Sequence, residues 1–416
     1  MSGISSLQMS REEKAAGEAA RLLYICDFPP SNLAGGTILV SRLLQDYPSD
    51  QITVLASSRY SRVSPQEGRL ACDHIAFPTT RGWGRWGLGR VKNAIDWLMV
   101  PVLVLFCARI IRRRRIQLML SVVHDRFFIA AAIASWLTSV PLVLIVHDDW
   151  IHRQQRTIPS LKPAFTILFR FAIRRAAHIY SVSAGMQELV RDICERESEL
   201  QLPAIAPFAA EEMADVTPPD LVKKPVSILY AGGIVENAET LIRLIQKSSL
   251  EHYGVPTCSL DLYLPLTKAQ FLKMGWAHDL INFRGWVSNM ELRRALCRAD
   301  ILFLPASFAK EEAAVVIAGF PTKTADYMAS GRPILVFGPE YSSLVRYARQ
   351  YEFAEVVTEP GDDALAKGLR AIVSSPTRRA ELVSRAFSVL SANHDIFKQR
   401  REFRRRAAEL ALTQGS

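Results

Sequence analysis

The sequence predicts an α/β protein of two domains, each a parallel sheet covered on both faces by helices. Three observations carry this. Short continuous apolar runs alternate with longer stretches of helical periodicity, a proline-rich segment interrupts the alternation, and the alternation then restarts. The first half reads as strand Leu22 to Cys26, the Gly35-Gly36 turn, helix Thr37 to Asp46 and strand Ile52 to Ala56. Strand Ile116 to Val123, helix Arg126 to Leu137, strand Pro141 to Val146, strand Ala176 to Val182 and helix Gly185 to Arg196 follow. Pro203, Pro207, Pro218, Pro219 and Pro225 then mark a linker. The second half gives strand Val226 to Tyr230, the Gly232-Gly233 turn, helix Ala238 to Gln246, and strands Ser259 to Leu264 and Ile281 to Arg284. Helix Asn289 to Arg298, strand Ile301 to Leu304, helix Thr322 to Ala329 and strand Pro333 to Phe337 complete it. After Asp363 the pattern is helical almost to the end.

The expected boundaries are a disordered tail over 1–20, domains over 21–205 and 226–390, a linker over 206–225 and a helical end over 391–416. The tail is polar and lacks the apolar segment of a signal peptide. A 416-residue chain that is 49% apolar and 22% charged suits two cores. Its six scattered cysteines form no metal-binding spacing and read as buried thiols in a reducing compartment. The net charge of +10 is concentrated in Arg112 to Arg115 and in Arg400, Arg401 and Arg404 to Arg406, clusters that attract phosphate. No nucleic-acid-binding signature accompanies them, so nucleic acid is not an expected partner.

Six stretches, in order, resemble group 1 (family 4) glycosyltransferases of the GT-B type. They are DFPPSNLAGGTILVSRLL from Asp27, VHDDW from Val146, YSVSAGMQELV from Tyr180, ILYAGGIVENAETLI from Ile228, INFRGWVSNMELRRALCRADILFLP from Ile281 and FPTKTADYMASGRPILVFGP from Phe320. The resemblance implies two Rossmann-like domains facing across a cleft. The acceptor would lie on the first and the nucleotide sugar on the second, with the helical end returning to the first domain. It also implies transfer of a sugar from a nucleotide-diphosphate sugar to a glycan or lipid-linked acceptor, probable retention of anomeric configuration, and a place in cell-surface polysaccharide or glycolipid synthesis.

Such a transfer must stabilise negative charge on a departing diphosphate. No Asp-x-Asp occurs, so no metal and no cofactor is expected, and backbone amides and cationic side chains must serve. Gly35 and Gly36, and Gly232 and Gly233 in the second half, lie between strand and helix, where backbone approaches phosphate freely; a plain tight turn is the alternative. The basic residue that many relatives carry after the second turn is replaced by Val235, Glu236 and Asn237. Thr322 and Lys323 precede a helix, and Lys323 is assigned to the phosphates over a solvated helix-start lysine. Asp326 matches the Glu that accepts bonds from ribose, whereas the family's first Glu falls at Ala318; Glu311 and Glu312 are either its replacement or a surface loop pair. Gly285 and Trp286 resemble the turn that brackets the nucleobase.

His147 ends a strand with Asp148 and Asp149 beside it. It is assigned to acceptor or donor-sugar hydrogen bonding, with base catalysis a minority role; Asp148 is grouped with it as a catalytic candidate, binding acceptor hydroxyls or capping the next segment. Asp149 either binds acceptor hydroxyls or caps the next segment. Trp97 to Ala108 is too short to span a bilayer, which takes about 20 apolar residues, and contains Pro101. It is either a core helix or an interfacial element whose arginines meet anionic headgroups, and Lys162 to Arg175 has similar character. The interfacial reading places the protein on the inner face of the cell membrane, in the cytoplasm. A nucleotide-sugar epimerase and a catalytically silent sugar-nucleotide-binding module remain alternatives.

Overall fold

The computed structural model describes residues 19–31, 35–60, 69–79, 89–157, 159–206, 208, 221, 225–233 and 236–413. The chain divides into two units, Met1–Gln201 with Ile396–Ser416, and Leu202–Asp395. The first unit holds β1 (Leu22–Ile25), β2 (Ile52–Ser57), β3 (Asp73–Phe77), β4 (Leu118–Val122), β5 (Leu142–Val146), β6 (His178–Ser181) and β7 (Glu199–Leu200). They lie in the order β3-β2-β1-β4-β5-β6-β7, all parallel. The central strands are the continuous apolar runs that a sheet buried on both faces requires. Leu22, Tyr24 and Cys26 enter one core with Leu118, Leu120 and Val122, while the fully buried Leu23 and Ile25 turn to the other face. The edge strands β3 and β7 lack that signature: only Phe77 is buried in β3, and both residues of β7 are exposed.

The helices of this unit are α1 (Gly35–Leu44), α2 (Gly89–Leu98), α3 (Val100–Arg114), α4 (Phe127–Thr138), α5 (Trp150–Thr157), α6 (Lys162–Arg175), α7 (Ala184–Cys194) and the chain's last, α16 (Ile396–Leu412). The apolar run Trp97 to Ala108 breaks between α2 and α3, with Pro101 in the first turn of α3, where its missing N–H costs nothing. It is neither wholly core nor wholly surface. Leu103, Val104, Cys107 and Ala108 are buried, whereas Leu98, Val102 and Leu105 are exposed. Among the described residues no helix is long and apolar enough to cross a membrane.

The final helix packs on α1. Phe403 and Ala407 join the core of β1 and β4, and Arg400 donates to the Arg42 carbonyl at 2.8 Å and pairs with Asp46. Arg404 binds the Asp46 carbonyl and Arg406 reaches Glu199 at 3.4 Å. The C-terminal arginine block is therefore largely engaged inside its own unit rather than offered to phosphate.

The second unit holds β8 (Val226–Ala231), β9 (Cys258–Tyr263), β10 (Ile281–Phe283), β11 (Ile301–Pro305), β12 (Ile334–Phe337) and β13 (Glu355–Val357), ordered β10-β9-β8-β11-β12-β13 and parallel. Alternation divides its side chains between two cores. Ile228, Leu260, Ile301 and Leu335 face one, and Leu229, Leu302, Ile334 and Val336 face the other. The helices are α8 (Glu236–Gln246), α9 (Lys268–Lys273), α10 (Asn289–Arg298), α11 (Ala313–Ala318), α12 (Lys323–Ala329), α13 (Ser343–Tyr351), α14 (Asp362–Ser374) and α15 (Pro376–Asn393).

The helical end is not one run. It breaks at Ser375, whose hydroxyl caps α15 ahead of Pro376, and again at His394 and Asp395. There the chain becomes extended. The Ile205 N–H donates to the His394 carbonyl at 2.9 Å, and Ile205 and Asp395 form a parallel bridge. The buried His394 ring meets the Pro203 carbonyl at 2.6 Å and the Tyr347 hydroxyl at 3.0 Å. Most of the proline-rich linker lies outside the described residues, as do nearly all of the expected tail and Val235.

Candidate functional site

In each sheet the strand order reverses once, between β1 and β4 and between β8 and β11. Doubly wound sheets bind ligands beyond the carboxyl ends of their strands at such a reversal. In the first unit β1 runs into Asp27 and Phe28, β4 into His124, Asp125 and Arg126, and β5 into His147, Asp148 and Asp149. The Tyr24 hydroxyl donates to the Phe28 carbonyl at 3.2 Å and holds the turn after β1. Phe28 then packs edge-on to both imidazoles, 4.8 Å from His124 and 6.4 Å from His147. The two imidazole centroids lie 6.1 Å apart.

Burial pushes His147 below its ordinary range against the upward pull of Asp148, and it pushes His124 down to about 3, helped by His147 and Arg153. Both rings are thus neutral at physiological pH. The Nδ1 atoms of both are buried and have no hydrogen-bond partner among the described residues. Such groups carry a desolvation cost that an incoming polar ligand removes. His147 Nε2 stands 3.6 Å from the Asp148 carboxylate, beyond good hydrogen-bond length, and Arg153 holds that carboxylate at 3.2 Å.

Gly36 lies directly under this ring. A Cβ there would sit 2.6 Å from His147 Nε2, so glycine is required by close approach. Gly35 opens α1 just after residues 32–34, which lie outside the described set. Asp149 turns away from the group: its carboxylate accepts the His152 N–H at 3.0 Å and caps α5, one of the two roles left open above.

The sequence reading passed over four members of this cluster. Asp27 is buried, and its pKa is raised to about 6 by burial first and Asp125 next, against Arg59 and Arg126. Asp125 has φ of 49°, a left-handed conformation that a non-glycine residue adopts at a cost of roughly 1 kcal/mol. Arg126 is buried in ion pairs with Asp125 at 2.8 Å and Asp96 at 3.3 Å. The remaining member, His124, carried a usable signal. An apolar strand ending in His-Asp occurs twice, at 124–125 and at 147–148, and both pairs end at the sheet's carboxyl edge.

In the second unit Gly232 and Gly233 follow β8, and Gly233 is exposed with open space where a side chain would go. The Tyr230 hydroxyl binds the Gly233 carbonyl and fixes the turn. Tyr327 on α12 accepts the Ala231 N–H at 2.9 Å and ties that turn to the helix bearing Lys323 and Asp326. That bond sets the helix bearing Lys323 and Asp326 against the end of β8, just before Gly232 and Gly233. Burial lowers the Lys323 pKa, with Asp326 opposing, and its ammonium makes no hydrogen bond to the described residues. Thr322 starts the helix without capping it.

Gly285 takes φ of 69°, which favours glycine, and Trp286 is 65% exposed. Both follow β10, two strands from β8 and hence about 10 Å across the sheet. Ala318 is buried in α11, and Glu311 and Glu312 lie in the turn ahead of it. Among the described residues no group of three or more His, Cys, Asp or Glu is arranged to hold a metal ion.

Solved structures share this arrangement over nearly the whole chain. HepE from Anabaena, solved with UDP and glucose, is 13% identical with a TM-score of 0.63, over 93% of this chain and 98% of its own. Sucrose-phosphate synthase from Thermosynechococcus elongatus is 12% identical at 0.65, over 96% and 100%. The fold is GT-B. A putative UDP-N-acetylglucosamine 2-epimerase from Listeria monocytogenes shares it at 9% identity and a TM-score of 0.56, over 92% and 94%. Residues 39–200 of this GT-B chain match the family model of the glycosyl transferase 4-like domain. That segment contains the β4 and β5 ends of the first cluster. Comparison with curated protein sequences gives no match.

Proposed function

We propose that this GT-B protein is a glycosyltransferase that moves a sugar from a nucleotide-diphosphate sugar to a glycan or lipid-linked acceptor without a metal. The carrying observation is at the reversal of the second sheet, where an open glycine turn is tied to a helix that starts with a desolvated lysine whose ammonium makes no hydrogen bond to the described residues. In the reaction the bond from the anomeric carbon to the diphosphate oxygen breaks, a bond to the acceptor oxygen forms, and the acceptor's hydroxyl proton passes to the departing diphosphate. The Lys323 ammonium and the Gly233 N–H meet the charge left on the diphosphate, the Gly232 N–H being held by the Tyr263 carbonyl at 3.1 Å. Asp326 accepts from ribose hydroxyls, while Gly285 and Trp286 border the base. On the first unit, Gly35 gives backbone access, Gly36 admits the His147 ring rather than a phosphate, and the neutral His147 with Asp148 hydrogen-bonds sugar hydroxyls. HepE binding UDP and glucose supports a uridine donor and a hexose.

The acceptor is assigned to a lipid-linked glycan at the inner membrane face, in polysaccharide or glycolipid synthesis. Its support is the set of exposed apolar side chains Leu98 on α2, Val102 and Leu105 on α3 and Ile167 and Phe171 on α6, together with the exposed Arg109 and Arg112 to Arg115 along and just after α3. Ala318, apolar and buried where the resemblance expects a Glu, favours a second reading as a silent sugar-nucleotide-binding module.

Thermal unfolding of the full chain with nucleoside diphosphates and their sugars tests the donor. Ligand at 100 times Kd adds about 2.7 kcal/mol. Lys323→Ala should weaken nucleoside-diphosphate binding about tenfold or more and nucleoside binding little. Equal losses would remove the phosphate role. Donor turnover without acceptor would instead indicate an epimerase or hydrolase, and binding without turnover the silent module.

A further inference from the structure

At the opposite, amino-terminal edge of the first sheet lies a cavity of about 700 Å³ lined by Ser135, Thr138, Pro141, Arg175, Arg196 and Thr413, among others. Pro141 precedes β5, and Arg175 is the last residue of α6, just before β6. The polar side chains are arranged in a consistent way. Ser135 and Thr138 donate to backbone carbonyls of Val140 and Ala134 at 2.7 Å, and those hydrogens are therefore committed. Arg196 clamps the carbonyls of Arg174 and Ala176 at 3.1 and 3.2 Å, and Arg175 Nη2 donates to the Ser135 carbonyl at 3.1 Å.

Each guanidinium has five N–H donors, so both retain several. Neither is paired with a carboxylate among the described residues. Arg175 Nε is also buried with no partner among them, a donor whose desolvation remains uncompensated. Two forked cations with spare donors around one cavity form a receptor for a tetrahedral oxyanion.

The cavity's surroundings decide which oxyanion. A second depression shares Arg175 and is lined by Ile167, Arg170, Phe171 and Arg174 of α6. A polar cationic hole joined through Arg175 to a depression bearing the exposed Ile167 and Phe171 matches a headgroup phosphate with acyl chains beside it.

We infer that the Arg175–Arg196 cavity binds the phosphate of an anionic membrane phospholipid. This rests on the membrane-surface part of the reading above and adds a defined headgroup site distinct from the Arg112 to Arg115 block and from the donor residues.

The probes are vesicles of phosphatidylcholine with and without phosphatidic acid, and inorganic phosphate, offered to the full chain. The wild type should sediment with phosphatidic acid vesicles, and phosphate should compete. Arg175→Gln should weaken vesicle binding about tenfold, and Arg175→Lys should restore part of it. Arg113→Gln, which removes the same charge from an exposed helix end, should cost less than about threefold. Equal losses for Arg175→Gln and Arg113→Gln would overturn the site in favour of diffuse attraction. Phosphate binding without sedimentation would overturn the lipid and leave a soluble phosphate ligand. Absence of both would overturn the cavity itself. Nucleoside-diphosphate binding, measured on the same Arg175→Gln protein, should be unchanged. Its loss from the wild type would concern only the donor assignment.

Discussion

Gly36→Ala isolates the contact between the glycine of α1 and His147. In an unhindered helix the change would stabilise by up to about 1 kcal/mol, because glycine loses more backbone entropy on folding than alanine. Here the new methyl would stand 2.6 Å from His147 Nε2 and 2.7 Å from Cδ2, roughly 1 Å inside ordinary contact. The ring has little room to retreat. Its side chain is 13% exposed and is flanked by Phe28 and His124. Overpacking of this kind costs about 1–3 kcal/mol, so the net change should be a destabilisation of about 1–2 kcal/mol. In a His147→Ala background the obstruction is absent, and the same change should stabilise. The coupling between the two sites is therefore about 2 kcal/mol and reverses the sign of the Gly36 effect. Urea unfolding of the four proteins measures it. If Gly36→Ala acts alike in both backgrounds, the glycine is not there to admit the histidine and the first cluster loses its organising contact.

Three other outcomes follow from buried groups. Asp27, ordinarily near 3.8 and raised to about 6, should make the first unit lose about 3 kcal/mol as pH rises from about 4 to 6, because the folded state must then ionise a buried carboxyl. Asp27→Asn should flatten that slope, and an unchanged pH profile refutes it. His394 has the opposite sign: lowered from 6.5 to about 4, it supports the second unit above pH 6.5 and withdraws about 3 kcal/mol as pH falls to 4. His394→Asn should remove that acid slope while lowering stability at neutral pH, as hydrogen exchange in the second unit would report. Tyr327→Phe leaves the buried Ala231 N–H without its acceptor, a cost of about 1–3 kcal/mol. It should weaken nucleoside-diphosphate binding with little effect on the first unit, and calorimetry checks this.

The central strands were legible because a sheet covered on both faces leaves a run such as Leu142–Val146 no polar position, and polar residues mark where it stops. β3, β7 and β13 were not, because an edge or very short strand needs no such run; Glu355 and Val356 are only half buried. The break at His394 was hidden for another reason. His and Asp are tolerated in helices, and what stops α15 is a bond from Ile205, nearly two hundred residues away in sequence. Within the sites, Gly36 and His147 could each be singled out by type and position, yet their contact is a fact of packing. Asp27 and Arg126 were missed because a buried charge looks like a surface charge until its partners, such as Asp96, are located by the fold. Lys323 was visible as a cation before a helix, whereas the Tyr327 bond that sets it beside the glycine turn crosses from helix to strand.

Because α16 supplies Phe403 and Ala407 to the core around β1, the first unit is assembled from both ends of the chain. During synthesis the second unit, continuous from Leu202 to Asp395, has every part it needs before the first does. The usual order of folding from the amino terminus is therefore inverted for the final step. Until the last helix emerges, the apolar side of α1 around Leu43 and Tyr47 waits uncovered for it. Removing Ile396–Ser416 would leave the second unit whole, yet it would cripple the half that was translated first.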